Sequence, residues 1–111
     1  MLGAHAPCMF ALTGSIDPTH DVAVLHLLEQ AFRRNHDAVD MEPDQLIVRF
    51  DRWYLLLTTG QRRLQVDVVV GTKADASAFR DRFTLETYRW AFPAALTLTW
   101  SESRQVPVPL R

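Results

Sequence analysis

With 111 residues, 48% of them hydrophobic and 23% charged, the chain has the composition of one globular domain, which excludes a disordered tail or a coiled coil. A domain of this size buries roughly two-thirds of the surface its unfolded form exposes. The formal charge of −1 sets 12 Lys and Arg against 13 Asp and Glu and offers no global field to draw in nucleic acid or an anionic membrane.

Residues 1–8, with Gly3 and Pro7, have no period and are expected to form a loose leader without a signal-peptide pattern. Cys8 is the sole cysteine, so no internal disulfide or CxxC site can form. A reducing compartment suits a lone cysteine, and no apolar run nears the ~18 residues of a bilayer span. The expectation is a cytoplasmic protein. A first strand runs from Met9, with Phe10, Leu12 and Ile16 on one face and Ala11, Thr13 and Ser15 on the other. Asp17-Pro18 then reads as an N-cap followed by Pro at the first helical position, opening a helix to about Asn35. Its apolar arc is Val22, Leu25, Leu28 and Phe32, flanked by Val24, Leu27 and Ala31.

A meander follows: Ala38–Met41, a turn at Glu42-Pro43-Asp44, Gln45–Phe50 with Leu46, Val48 and Phe50 inward, and a turn near Asp51-Arg52. Trp53–Thr59 and Leu64–Val70 make a hairpin whose loop holds Gly60 as the expected positive-φ residue. Thr72 or Asp75 caps a second helix reaching about Ala91, with Ala76, Phe79, Phe83, Thr87 and Trp90 buried. Arg82, Glu86 and Arg89 read as solvated helix surface. Pro93 stops the helix, Ala95–Trp100 forms the last strand, and residues 101–111 form an extended, proline-containing tail.

The order β-α-β-β-β-β-α-β with two amphipathic helices predicts an α+β two-layer sandwich: a mostly antiparallel sheet with both helices on one face. Parity leaves Ala11, Thr13, Ile47, Arg49, Tyr54, Leu56, Thr58, Gln65, Asp67, Val69, Thr97 and Thr99 on the open face.

The run Arg89-Trp90-Ala91-Phe92-Pro93-Ala94-Ala95-Leu96-Thr97-Leu98-Thr99-Trp100 resembles the close of the bacterial family called domain of unknown function 2218, which ends its last helix in an Arg-aromatic-Ala-aromatic step before a short strand finishing in Trp. Element order and length extend the resemblance over roughly residues 9–100. It implies a TATA-binding-protein-like fold similar to the C-terminal domain of phosphohexomutases, no established activity, and, from relatives beside or fused to siderophore-interacting flavin reductases, an association with iron acquisition. Where the family's first helix carries Leu-Cys-x-His-aromatic-x-His-Lys, this chain reads Leu28-Glu29-Gln30-Ala31-Phe32-Arg33-Arg34-Asn35, and the family's Gly-x-Cys strand is replaced around Asp51–Tyr54. No metal or thiol role carries over onto those positions.

Chemistry-bearing motifs are sparse. Asp40, Glu42 and Asp44 have hard-cation spacing but lack the glycine and closing glutamate of a calcium loop. His20 and His26 are six apart, off a common helical face, and Ser15, Ser77, Ser101 and Ser103 lack a nucleophile-elbow context. Gly14, Gly60 and Gly71 stand alone, without dinucleotide or P-loop spacing. Arg49, Arg52, Arg62 and Arg63 with Trp53 and Tyr54 have the residue types of a single-strand nucleic-acid platform, but Asp51 and Asp67 dilute them and ordinary strand surface is the expectation. The leading expectation is a non-catalytic binding or interaction module with no cofactor, using Ile47, Arg49, Tyr54, Leu56, Asp67 and Val69 to hold a ligand or to meet a second copy or another protein, not nucleic acid or a membrane. The alternative is a metal-handling protein or small enzyme with its site among Cys8, His36 and the Asp40–Asp44 turn.

Overall fold

The computed structural model describes residues 10–103 and Leu110. The expected leader, with His5 and Cys8, and the expected tail from residue 104 to 109 lie outside the described residues. The elements are β1 (Phe10–Pro18), α1 (Ala23–Asn35), β2 (Asp37–Glu42), β3 (Gln45–Phe50), β4 (Trp53–Thr59), β5 (Leu64–Val70), α2 (Lys73–Trp90) and β6 (Leu96–Ser103), with a 3₁₀ turn at Pro93–Ala95. The class is the expected α+β arrangement, and the succession differs only by that 3₁₀ turn. The strands form one sheet in the order β2-β3-β4-β5-β1-β6, antiparallel at every junction.

Both helices lie on one face. Leu25, Leu28 and Phe32 of α1 and Ala76, Phe79 and Phe83 of α2 share a single buried cluster with Leu12, Ile16, Leu46, Val48, Leu55, Leu57, Val66 and Val68 of the sheet. Where the helices meet, the Phe32 and Phe83 rings stack at 5.1 Å and 6°, while Phe50 meets Phe83 edge-on at 5.8 Å. Such pairs add ~0.5–1.5 kcal/mol each beyond the area they bury. Trp100 of β6 reaches the same cluster, edge-on to Phe79 and Phe83 at 5.8 and 5.7 Å. Its route passes over Gly14, its cross-strand partner, where a Cβ would stand 2.7 Å from the indole. Only glycine leaves that passage open.

Five local expectations are corrected. Asp17-Pro18 does not start α1: Asp17 and Pro18 pair with Thr97 and Leu96 in the β1–β6 ladder, so sheet pairing overrides the cap signal. The helix begins at Ala23, and Asp21 Oδ1 accepts its amide at 2.9 Å. Val22, which precedes the first helical residue, and Leu27, about 100° around the helix from Leu28, are 41% and 47% exposed, off the packed arc. Trp90 is half out of the core, its indole N–H donating to Glu86 at 3.3 Å. Gly60 has no positive φ; it permits a tight closure, its amide donating to the Arg63 carbonyl at 2.8 Å and a Cβ there meeting that oxygen at 3.1 Å. The left-handed residue is instead Asp51, φ 57°, in the β3–β4 turn, a conformation Asp tolerates better than most. At α2 the expected cap forms, Thr72 Oγ1 accepting the Asp75 amide at 3.0 Å. Strand β6 also runs on through Ser103, its pairing with Ala11 holding residues expected in the tail.

Candidate functional site

The reverse face of the sheet carries neither α1 nor α2, and one lateral row describes it. Cross-strand registers align Val39, Ile47, Leu56, Asp67, Thr13 and Ser101 across all six strands. The ends of the row are accessible, with Val39 62% exposed, but Leu56 and Asp67 at its centre are 1% and 3% exposed. This corrects two of the six residues expected to offer a recognition surface. Leu56 has Ile47 and Asp67 as its cross-strand partners. Asp67 lies flat on the sheet, accepting from Thr13 Oγ1 at 2.7 Å and Gln65 Nε2 at 2.9 Å. A carboxylate so placed is a latch between β1 and β5 and not a docking group, because its two acceptors are already engaged.

The remaining candidates gather toward the β2 edge. Tyr54 is 58% exposed, Arg49 is exposed and Ile47 is half-buried. Registers put Asp37 beside Arg49 and Arg49 beside Tyr54, one row over from Val39 and Ile47. Met41, 48% exposed, follows at the irregularity between Asp40 and Glu42, where it has no cross-strand partner. Val69, also half-buried, lies toward the other edge, with Ala11 as its partner. The parity argument therefore found the face, while the accessible apolar group is Val39, Met41, Ile47 and Tyr54. Val39 and Met41 were signalled by their alternation with Asp40 and Glu42 in the second half of the strand.

A second feature lies on the helical side. His36 caps the C-terminal end of α1, stacked 5.8 Å from Phe32 and tilted 5.1 Å from Phe50. Its Nε2 donates to Glu86 Oε2 at 3.1 Å, both side chains being more than four-fifths buried. An ionised carboxylate only accepts, which fixes the ring proton on Nε2. Glu86 is thus no solvated helix position: Trp90 shares its Oε2, and Arg89 Nη1 stands 4.0 Å from Oε1. The pair borders a groove of about 670 Å³ between α2 and the β3–β4 turn, walled also by Phe50, Asp51, Arg82, Leu85, Tyr88 and Arg89. Its described walls hold this imidazole–carboxylate pair and no serine, threonine or cysteine.

The expected grouping of Cys8, His36 and the acidic turn is not assembled by the described residues. His36 turns to Glu86, while Asp40 takes Arg33 Nη2 at 2.7 Å. That hydrogen bond holds the Asp40 carboxyl below the usual carboxylate range and raises Arg33 in turn. No group of three or more His, Cys, Asp or Glu suited to a metal ion occurs among the described residues. None of the described helices is long and apolar enough to cross a membrane.

Neither a family model nor a curated protein matches the chain. Among solved structures it is similar to the NMR structure of PA4090 from Pseudomonas aeruginosa, with TM-score 0.54 and 11% identity over 83% of this chain and 95% of that one. At that identity the likeness is one of fold.

Proposed function

We propose that the protein is a non-catalytic interaction module that recognises a second copy of itself through the β2–β3–β4 end of the reverse face. The observation that carries this reading is the clustering there of Val39, Met41 and Tyr54, 62%, 48% and 58% exposed, around half-buried Ile47. Isolated apolar residues on a surface need no partner, but a contiguous group with a polar rim marks an interaction site. A two-fold contact must also be self-complementary in charge. Arg49 and Asp37, neighbours on this face, supply one charge of each sign, so a rotated copy sets each opposite its counter-ion.

Face-to-face contact is favoured over strand addition at the β2 edge. Asp37, Asp40 and Glu42 line that strand, and an antiparallel copy would bring like charges together. The resemblance of Arg89–Trp100 to the domain of unknown function 2218 family adds an accessory place near iron metabolism to the proposal, and the same interface would then serve whichever redox protein the module accompanies. Size-exclusion chromatography with light scattering across a concentration series tests the dimer. Tyr54→Arg and Val39→Glu should each return the mass to that of one chain, 12.7 kDa, with unchanged circular dichroism.

A further inference from the structure

The groove beside His36 and Glu86 plays no part in that reading, and its chemistry points to a ligand. Its volume of about 670 Å³ lies in the ordinary range for small-molecule clefts, ~300–1,000 Å³. Half-buried Tyr88 and the small accessible part of Phe50, 3% exposed, give it an aromatic lining, and Leu85 on α2 is 76% exposed. Around this apolar floor the cations outreach their partners. Arg82 meets Asp51 at 3.4 Å through one nitrogen, and Arg89 stands 4.0 Å from Glu86, whose other oxygen is taken by His36 and Trp90. A guanidinium carries five N–H donors in a planar fork, so most donors of both arginines remain open to a planar acceptor. The two side chains are 61% and 70% exposed and seven residues apart on α2, about 10.5 Å along the axis, a span that two arginine side chains can close from either end.

We propose that this groove binds a small aromatic carboxylate, its ring against Phe50 and Tyr88 and its carboxylate between Arg82 and Arg89. The apolar body and the anionic head are both required. A simple anion would leave the aromatic floor wet, and a neutral ring would leave the guanidinium donors unused. Asp51 and Glu86 stand against these same two guanidiniums, at 3.4 and 4.0 Å, so an incoming carboxylate shares each arginine with a resident one and uses the donors those single contacts leave over.

The test is a titration of the ¹⁵N-labelled full chain with naphthalene-2-carboxylate, with naphthalene-2-methanol and acetate as the headless and ringless controls. Saturable shifts centred on Phe50, Asp51, Leu85 and Arg89 are expected for the acid alone. Arg82→Gln with Arg89→Gln should weaken binding by roughly tenfold or more, each charged hydrogen bond being worth about that. Tyr54→Arg should leave it unchanged, which separates this site from the dimer surface. Because both arginines are exposed, the double variant should keep the wild-type spectrum away from the groove, which checks that it is folded. The proposal is overturned by shifts that do not saturate, by equal binding of the alcohol, by wild-type affinity in the folded double variant, or by shifts centred elsewhere.

Discussion

The two faces of the single sheet are built by different physics. On the helical face, aromatic rings from both helices and three strands interlock, and Gly14 is there to let Trp100 through. On the reverse face a row of side chains runs from Val39 to Ser101, with Asp67 latched by two neutral donors at its centre. One face is filled by interlocking rings, while the other passes from a buried centre at Leu56 and Asp67 to an open end at the β2 edge. That is where Val39, Met41 and Tyr54 become accessible.

If this contrast holds, substitutions on the helical face should be the costliest. Phe83→Ala, which empties the centre of the aromatic cluster, should lower stability by ~3–5 kcal/mol in urea unfolding. Gly14→Ala should cost ~1–3 kcal/mol through overpacking against Trp100, and pairing it with Trp100→Leu should recover part of the loss. At the centre of the reverse face, Asp67→Ala should cost ~1–3 kcal/mol by leaving the Thr13 and Gln65 donors unpartnered, a value comparable with core changes despite the absence of a helix above it. At the β2 edge the cost should vanish: Tyr54→Arg should stay within ~0.5 kcal/mol of wild type.

The smallest effect is electrostatic. Arg33 holds the Asp40 carboxyl below its ordinary range, so the pair contributes above the unfolded-state pKa and loses its contribution as pH falls through the lower folded value. The difference in urea midpoint between wild type and Asp40→Asn should therefore be small at neutral pH, shrink with added salt and disappear toward pH ~2.

Strand parity made the two faces legible before any coordinates, since β3, β4 and β5 each alternate or fill both sides in a way that only one register satisfies. The start of α1 was misleading because Asp17-Pro18 satisfies a helix cap and a strand end equally well, and only pairing with β6 decides between them. The burial of Leu56 and Asp67 could not be read from their own strands, because alternation assigns a residue to a face and does not say how deeply it lies there. The His36–Glu86 pair joins positions 50 apart. The one available signal was that Glu86, three residues after Phe83 and four before Trp90, lies on the flank of the buried stripe and not on the outer face of α2.

Light scattering of wild type and Tyr54→Arg at rising concentration bears most directly on the claim that the β2–β3–β4 end of the reverse face is a recognition surface. The account predicts a wild-type mass climbing toward twice 12.7 kDa while the variant stays at the single-chain value. A wild-type chain that remains at 12.7 kDa throughout, or a variant that associates as strongly as wild type, would contradict it.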